Sequence, residues 1–224
     1  ERYMMAAALG ISYSLPIHEM RVRLKSINNV IDDIENNPQL QDKYLKELVN
    51  IVKDTDDVVR AVSAVMSRQK KQKIKLSKIL KNVSILKERE LRKFSIKTKV
   101  NVIEDTEIEI VPGLINTAVL NLLDNAIYWV RVKGQDSIKT SNFDPEIILE
   151  CGFNKDQEPY IKISDNGPGF DDPIELLKEP YYSKKSDGLG LGLYLVNEIA
   201  TLSEARLEGF NSNGANFEIV FKKL

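Results

Sequence analysis

The chain has 224 residues, of which 42% are hydrophobic and 29% are charged, and its formal net charge is −1. This composition is ordinary for a globular protein, and the near-neutral charge gives no indication of a nucleic-acid partner. The single cysteine, Cys151, excludes an intrachain disulfide, and the single histidine, His18, excludes a multi-histidine metal site. We expect Cys151 to be a small core residue on a strand. The apolar run at residues 4–9 is far shorter than the roughly 20 residues of a membrane span, so we expect no membrane contact within this sequence.

Residues 1–73 have the apolar period of two helices. The sequence Asn36-Asn37-Pro38 separates the helices, because proline lacks an N–H and the residue before it avoids the helical region. On both sides, apolar residues recur at steps of three and four, which is typical of one buried helical face. The first stripe is Ile17, Met20, Leu24, Ile27, Ile31 and Ile34, and the second is Leu45, Leu48, Val52, Thr55, Val59, Val62 and Met66.

Two helices alone cannot bury such wide apolar stripes. A second copy of the hairpin would complete a four-helix bundle. We therefore expect residues 1–73 to form a homodimer. The alternative is that the hairpin packs on the second half of the chain.

Residues 74–224 alternate strand-like and helix-like stretches. This order predicts an α/β sandwich with helices on one face of a mostly antiparallel sheet, so the fold class of the whole chain is α+β. The basic, polar residues 70–78 are interpreted as a hinge between the halves. Residues 133–144 and residues 165–187 are interpreted as loops. Helices are predicted at residues 76–94, 113–132 and 189–202, and strands at 97–102, 107–111, 146–153, 160–164, 205–210 and 216–222.

Two polar clusters of the second half indicate ligand binding. Asn121 and Asn125 lie four residues apart on a predicted helix, so they share a face and could coordinate Mg²⁺, which prefers oxygen ligands. The cluster Asp165-Asn-Gly167-Pro-Gly169 follows a predicted strand. A carboxylate there can accept a hydrogen bond from an adenine amino group, and the glycines let the ring approach. The plain alternatives are a polar helix face and an Asn-Gly turn.

A third cluster, Gly188-Leu-Gly190-Leu-Gly192-Leu193, opens a predicted helix. Glycines leave N–H groups bare for a phosphate, and the N-terminus of a helix favours negative charge. The cluster does not follow a strand directly and lacks a Lys-Ser or Lys-Thr ending, which argues against Rossmann and P-loop sites.

In this order and spacing, the three clusters resemble the N box, the DxGxG box and the GxGxG box of the GHKL superfamily. This superfamily unites gyrase-like, MutL-like and heat-shock ATPases with histidine kinases. Pro180-Tyr-Tyr-Ser183-Lys184-Lys185 is similar to the family segment between the last two boxes, and Gly214-Ala-Asn-Phe217 to its terminal strand. The resemblance implies a Bergerat-type fold for residues 74–224, binding of ATP with Mg²⁺, and a mobile lid over roughly residues 170–187.

The resemblance also implies which residues bind the ligands. Tyr128 stands where a basic residue is frequent, so Lys184 or Lys185 is expected to supply the cation, and Trp129 could stack on adenine or belong to the core. Ala215 replaces the usual threonine, which removes a hydroxyl near the base. Asn121 and Asn125 are the expected metal ligands. The nucleotide is expected to contact these two and Tyr128, Trp129, Asp165, Gly167, Gly169, Lys184, Lys185, Gly188, Leu189, Gly190, Leu191, Gly192 and Leu193.

Asn121 also bears on the reaction. Hydrolysing members of the superfamily have glutamate at this position as a general base. An amide cannot take a proton near neutral pH, which favours transfer to a better nucleophile over hydrolysis.

His18 is the candidate phosphate acceptor, because Ile17-His18-Glu19-Met20-Arg21 resembles the H-E-x-R phosphoacceptor motif. Neutral imidazole is a good nucleophile at pH 7. Glu19 could accept its proton, and Arg21 could pair with Glu19 or with the incoming phosphate. On a helix, at ~100° per residue, His18 lies ~150° from the centre of its apolar stripe, so a donor can reach it. The alternative is an ordinary surface histidine.

Val22 departs from the family pattern, which usually has threonine or asparagine four residues after the histidine. In related kinases, that polar residue positions a water that dephosphorylates the receiver. We therefore expect phosphatase activity by this route to be weak or absent.

The sequence thus predicts a cytoplasmic protein-histidine kinase of two-component signalling. It would phosphorylate its own His18 and pass the phosphoryl group to a receiver aspartate of a response regulator. The chain begins in mid-pattern, so we expect it to be a piece of a longer protein whose sensing part lies upstream. Two alternatives remain open: a GHKL kinase that acts on serine of another protein, with His18 incidental, and a non-catalytic ATP-sensing dimer.

Overall fold

The computed structural model describes residues 27, 29–34, 45, 70–137, 143–185 and 190–223 of the chain. The chain divides into two compact units, Glu1–Ser67 with Ser186–Gly188, and Arg68–Lys185 with Leu189–Leu224. In the first unit, the described residues 27, 29–34 and 45 are helical, as predicted for these positions. The rest of the predicted hairpin, including the break at residues 36–38, lies outside the described residues.

The described residues of the second unit contain seven strands in two sheets. They are β1 (Gln72–Lys75), β2 (Lys97–Val102), β3 (Glu107–Ile110), β4 (Glu146–Phe153), β5 (Pro159–Asp165), β6 (Ala205–Asn211) and β7 (Ala215–Phe221). Five of them form the main sheet in the order β2-β4-β5-β7-β6, and β1 pairs with β3 in a separate antiparallel ribbon. In the main sheet β2 and β4 are parallel and the other neighbours are antiparallel. The predicted mostly antiparallel sheet is therefore confirmed.

Three long helices accompany the sheets: α1 (Leu76–Lys93), α2 (Pro112–Ser137) and α4 (Gly192–Leu202); a single turn, α3 (Ile174–Leu177), lies between α2 and α4 in the chain. Proline suits the first position of α2, because its missing N–H has no partner there in any case. Ser95, with φ of 53°, ends α1 in the left-handed region. Among the described residues, none of the helices combines the length and the apolar character that a membrane span requires.

The two faces of the main sheet differ in polarity. On β4 and β5, alternate residues such as Leu149 and Ile163 are buried with the helices in one hydrophobic core. The residues between them face the other way and carry charge: Lys162 Nζ lies 2.5 Å from Glu150 Oε1 and 3.9 Å from Glu218 Oε1. Because a strand alternates its side chains, this pattern places the helices on one face.

Several predicted element bounds require correction. The stretch 70–78 is not simply a hinge, because it contains β1 and the start of α1. Helix α2 continues to Ser137, so residues 133–137 are helical and not part of a loop. The last helix begins at Gly192 and not at residue 189, because Gly190 has a left-handed φ of 71°. The predicted bounds of β2 and β4 are confirmed.

Cys151 is fully buried on β4, which confirms its expected place in the core. Burial raises the pKa of its thiol to about 11. A thiol with so high a pKa carries almost no thiolate near neutral pH, so Cys151 has a structural role.

Candidate nucleotide-binding site

Helix α2 carries four site-forming side chains at every fourth residue: Asn121, Asn125, Trp129 and Lys133. Residues four apart are neighbours along one side of a helix, so these four form a continuous row, which we call the α2 ridge. The adjacent side of the helix is apolar and buried, with Leu122, Ala126 and Val130 in the core. Core packing therefore fixes the direction in which the ridge points.

The first two ridge residues face the start of α4. A Cβ placed on Gly192 would lie 3.6 Å from Asn121 Oδ1 and 3.7 Å from Asn125 Nδ2. The asparagine cluster and the last glycine of the glycine cluster, about 70 residues apart in sequence, are thus brought together. Glycine keeps this position open, so a ligand can reach the first turn of α4 between the amides.

The asparagine amides are oriented in a way that suits a cation. Asn121 Nδ2 donates to the Thr117 carbonyl at 2.9 Å, which leaves Oδ1 as the free end of the amide. Asn125 Oδ1 accepts a hydrogen bond of 2.6 Å from the ammonium of Lys185. A positive charge therefore already lies at the oxygen that was predicted to bind Mg²⁺.

The chemistry of this donor set fits Mg²⁺. In the described ranges, no group of three or more histidine, cysteine, aspartate or glutamate side chains could hold a metal. Mg²⁺ is typically held by few protein oxygens, with substrate phosphates and waters completing its shell. Two amide oxygens beside a helix N-terminus that can receive phosphate match this requirement.

Asp165 lies at the end of β5 and is 8% exposed. Its Oδ1 accepts hydrogen bonds from the Gly167 N–H at 2.8 Å and the Ala215 N–H at 3.4 Å. Burial raises the pKa of the carboxyl to about 6, although these bonds and the charge of Lys133 act in the opposite direction. Asp165 is thus a buried acceptor that is mostly ionised at pH 7.

Close backbone approach explains two glycines around Asp165. A Cβ on Gly167 would lie 3.3 Å from the backbone carbon of Trp129, and one on Gly214 would lie 2.1 Å from the Asp165 carbonyl oxygen. Gly167 therefore brings the loop after β5 directly against the α2 ridge. All three sequence clusters meet along this one helix.

The two lysines of the lid have different partners. Lys184 Nζ lies 2.5 Å from Asp172 Oδ2, which also accepts a hydrogen bond of 2.6 Å from the Tyr182 hydroxyl. Lys185 instead reaches Asn125, and its ammonium lies 4.7 Å from the centre of the Tyr128 ring. Of the two candidates for the phosphate cation, the geometry favours Lys185.

Tyr128 and Trp129 contact each other edge to face, with ring centres 5.0 Å apart and an angle of 89°. Both are half-buried. Stacking of Trp129 on adenine stays a prediction, and its backbone contact with Gly167 is the observed link to the loop.

Sequence reasoning missed one residue that contacts the site. Lys133 Nζ donates to the carbonyl oxygens of Asn166 and Gly167, at 2.7 and 3.1 Å. The sequence pattern places it in a loop, but continuation of α2 makes it the fourth member of the ridge. The recurrence of polar or aromatic residues at positions 121, 125 and 129 was the signal that could have found it.

The remaining predicted site residues are only partly described. Gly169 has φ of 77°, and its neighbour Phe170 exchanges hydrogen bonds with the Asn211 side chain. Leu193 packs against the core and Leu191 is half-buried, so both support the start of α4. Outside the described residues lie His18, Glu19, Arg21, Gly188 and Leu189.

Residues 110–224, just over half of the chain, match the family model of histidine kinase-, DNA gyrase B- and HSP90-like ATPases. The chain belongs to this ATPase family. The matched residues include the helix that carries the α2 ridge and every strand from β4 onward. Membership accounts for the convergence of the three clusters and establishes ATP as the ligand class of the fold.

Two sensor kinases are similar in sequence. The chain is 31% identical over 122 residues to sensor protein kinase PilS of Pseudomonas aeruginosa. The matched region covers 52% of this chain and 21% of PilS. The chain is 25% identical over 213 residues to sensor histidine kinase ZraS of Salmonella typhimurium. This matched region covers 90% of this chain and 43% of ZraS. The chain thus spans less than half the length of either relative.

Solved histidine kinases share the fold. The histidine kinase ThkA in complex with the response regulator TrrA superposes with a TM-score of 0.66 at 19% identity, over 100% of this chain and 64% of that one. The Acinetobacter baumannii kinase AdeS gives a TM-score of 0.64 at 17% identity, over 92% and 97%. Together with the family match, these similarities confirm the predicted GHKL fold and the resemblance to histidine kinase catalytic cores.

Proposed function

We propose that this chain is the catalytic core of a sensor histidine kinase, which transfers the terminal phosphoryl group of ATP to its own His18. One observation carries the proposal: the α2 ridge brings Asn121 and Asn125 against the glycine at the start of α4, with an amide where a hydrolysing enzyme needs a base. An amide there binds and orients without activating water.

The base end of the nucleotide is assigned to Asp165. Its ionised carboxyl, which accepts from the Gly167 N–H, would also accept a hydrogen bond from the adenine amino group. The buried position favours this bond, because a charge-assisted hydrogen bond is stronger where water is excluded. Trp129 lies beside the same turn and would border the base.

The phosphate end is assigned to the start of α4 and to Lys185. Asn121 and Asn125 would hold Mg²⁺, which neutralises phosphate charge when it is bound. Since Lys184 is paired with Asp172, Lys185 would leave Asn125 and meet the terminal phosphate, in place of the cation that Tyr128 cannot provide. Phosphoryl transfer depends mostly on such positioning and charge neutralisation.

The transfer itself would take place at the imidazole of His18. A ring nitrogen attacks the terminal phosphorus, a nitrogen–phosphorus bond forms, and the bond to the bridging oxygen breaks with release of ADP. Glu19 would accept or orient the imidazole proton, and Arg21 would pair with Glu19 or with the phosphate. The phosphoryl group would then pass to a carboxylate oxygen of a receiver aspartate.

Three broader parts of the proposal concern the dimer, the partner protein and the place of the reaction. Residues 1–73 would form the homodimer; in the single chain Ile31 and Leu45, both on the predicted stripes, are 41% and 42% exposed. A response-regulator receiver would be the partner, by analogy with ThkA, whose structure was solved in complex with the response regulator TrrA. The reaction would take place in the cytoplasm, where ATP and a receiver are present.

Incubation with ATP labelled at its terminal phosphate tests the proposal. We expect acid-labile label on the wild-type chain and none on His18→Gln, which should still bind nucleotide. Equal labelling of His18→Gln would contradict the assignment of the acceptor. Acid-stable label on a partner, or nucleotide binding without label anywhere, would instead support the serine kinase or the ATP sensor.

A further inference from the structure

We propose that Lys133 is a positioning residue for the nucleotide base, which it serves through the loop after β5. The proposal rests on the proposed function, because it assumes that Asp165 and its loop receive adenine. It adds a residue that none of the sequence clusters contains.

The contact is made by one ammonium and two successive carbonyl groups. Lys133 Nζ donates to the carbonyl oxygen of Asn166 at 2.7 Å and to that of Gly167 at 3.1 Å. A charged donor forms stronger hydrogen bonds than a neutral one. Two such bonds fix the orientation of the peptide groups that follow Asp165.

The orientation matters because these peptide groups shape the acceptor. The Gly167 N–H donates to Asp165 Oδ1 at 2.8 Å, and therefore sets the rotation of the carboxyl group. The Gly167 N–H belongs to the same peptide group as the Asn166 carbonyl, so if that carbonyl turned, this N–H would turn with it. Lys133 thus acts on Asp165 from outside the binding surface.

A second anchor holds the opposite side of the loop. Asn166 Oδ1 accepts from the Glu146 N–H at 2.9 Å, and Asn166 Nδ2 donates to the Asp144 carbonyl at 2.7 Å. These bonds tie the loop to the start of β4. Lys133 ties it to α2, the helix that also carries Asn121 and Asn125. The distance between the base end and the phosphate end of the site is thereby set along one helix.

Lys133 is itself held in place. It is half-buried, and its ammonium lies 5.1 Å from the centre of the Phe143 ring. It lies in the last turns of α2, which continues to Ser137. A side chain confined in this way loses little conformational entropy when it binds the loop, so little of the free energy of its hydrogen bonds is offset.

Lys133 also acts by charge. Among the described residues, it is the charged side chain whose field lowers the pKa of Asp165, and the neutral N–H groups of Gly167 and Ala215 complete the surroundings of the carboxyl. Removal of the charge should raise the pKa of Asp165 further. Less of the carboxyl would then be ionised at neutral pH.

Titration of ADP into the full chain at several pH values tests this role. Trp129 is the single tryptophan of the chain, and it borders the Gly167 turn, so its fluorescence reports on the loop. We expect Lys133→Met to weaken ADP binding at pH 7.5 by about tenfold, which is the effect of losing charge-assisted bonds. The midpoint of the pH dependence should move upward. Lys133→Arg should restore most of the affinity and the original midpoint.

Two further variants keep the test decisive. Lys133→Gln retains a donor but no charge, so it should move the pH midpoint even if Lys133→Met fails to fold. Lys155→Met, at an exposed lysine of the β4–β5 turn, is the matched control and should bind ADP as the wild type does.

The outcomes separate the two proposals. Wild-type binding of ADP together with unchanged affinity and pH midpoint in Lys133→Met and Lys133→Gln would overturn the role of Lys133 alone. Loss of stability in these variants without a change in pH midpoint would reduce Lys133 to a structural contact and would also overturn it. Failure of the wild type to bind ADP would overturn the proposed function, and this role with it.

Discussion

At the scale of single residues, Asp165 connects stability with binding. Its pKa of about 6 means that the folded chain holds the proton more tightly than the unfolded chain, in which the value is 3.8. Stability from this group is therefore complete below about pH 4 and is lost as the pH rises through 6. Ionisation costs the fold about 3 kcal/mol, which the proposed contact with adenine would offset.

Replacement of Asp165 by asparagine should remove this cost. Above pH 7 we expect Asp165→Asn to be more stable than the wild type by about 2–3 kcal/mol in the absence of nucleotide. Near pH 4 the two should be equal, because the wild-type carboxyl is then protonated. Urea unfolding at both pH values measures the difference. A variant that is less stable at pH 8 would show that the carboxylate supports the fold.

The binding of ADP should depend on pH in the direction opposite to that of the stability of the fold. The ionised carboxyl of Asp165 is a stronger acceptor for the adenine amino group than the protonated carboxyl, so ADP affinity should be constant above about pH 7 and fall by up to about tenfold per unit below 6. Calorimetric titration between pH 5 and pH 8 measures this profile. A flat profile would contradict the proposed contact with adenine.

The two lid lysines should differ in their effect on the reaction. Lys185→Met should reduce the autophosphorylation rate by at least about tenfold, because a cation near the developing charge is lost. Lys184→Met is the matched control: it breaks a pair with Asp172 on the exposed side of the lid and should cost less than about threefold. Initial rates at saturating ATP test this difference, and equal rates would contradict the assignment of Lys185.

At the scale of elements, two glycines near the start of α4 have different tasks. A Cβ on Gly190 would lie 2.4 Å from the backbone carbon of Tyr181, at a left-handed φ of 71°. A Cβ on Gly192 would meet the asparagine amides at ordinary contact distances of 3.6 Å or more. The first glycine is needed for the packing of the lid, and the second for access to the site.

Alanine at these positions should separate the two tasks. Gly190→Ala should lower the unfolding free energy by about 1–3 kcal/mol, because the backbone is strained and the lid must move. Gly192→Ala should leave stability unchanged or slightly raised, since alanine favours helices, while it weakens binding of Mg-ATP. Thermal unfolding and nucleotide titration of both variants measure this. The reverse pattern would contradict the geometry at α4.

Most elements could be predicted from local pattern. The bounds of β2 and β4 were predicted correctly: β4 alternates buried with partly buried residues, whereas β2 is marked by its alternating valines, Val100 and Val102, which are exposed. β1 was missed because Gln72–Lys75 contains one apolar residue and gains its order from pairing with β3. The end of α2 was missed because its last turns are polar, and part of what holds them is the contact of Lys133 with a loop 33 residues away.

The site was predictable as a set of residues but not as an arrangement. The spacing of the three clusters identified Asn121, Asn125, Asp165 and the glycines. The choice between Lys184 and Lys185 needed the position of Asp172, and the role of Lys133 needed the loop after β5. Such contacts join distant parts of the chain, so local period carries no information about them.

At the scale of the whole molecule, we expect dimerisation and nucleotide binding to be separable. The second unit has its own continuous hydrophobic core. We expect a fragment of residues 68–224 to be monomeric and to bind ADP with the affinity of the full chain, yet to remain unphosphorylated because it lacks His18. Light scattering and labelling measure these properties. A dimeric fragment would contradict the assignment of the dimer to residues 1–73.

A single substitution should disrupt the dimer of the full chain. Ile31 is 41% exposed in the single chain and lies on the predicted stripe, so Ile31→Asp should place a charge in the interface. We expect the apparent mass to halve at micromolar concentration, while Asp33→Asn, at an exposed helical neighbour, leaves it unchanged. A dimer that survives Ile31→Asp would contradict the predicted seam.

The central claim is that one magnesium-bound adenine nucleotide lies along α2, between Asp165 and the start of α4. Calorimetric titration with a non-hydrolysable ATP analogue, with and without Mg²⁺, tests it most directly. We predict one site per chain in the wild type, tighter binding with Mg²⁺, loss of binding in Asp165→Ala, and loss of the magnesium effect in Asn125→Ala. Absence of binding in the wild type, or undiminished binding in both variants, would contradict the claim.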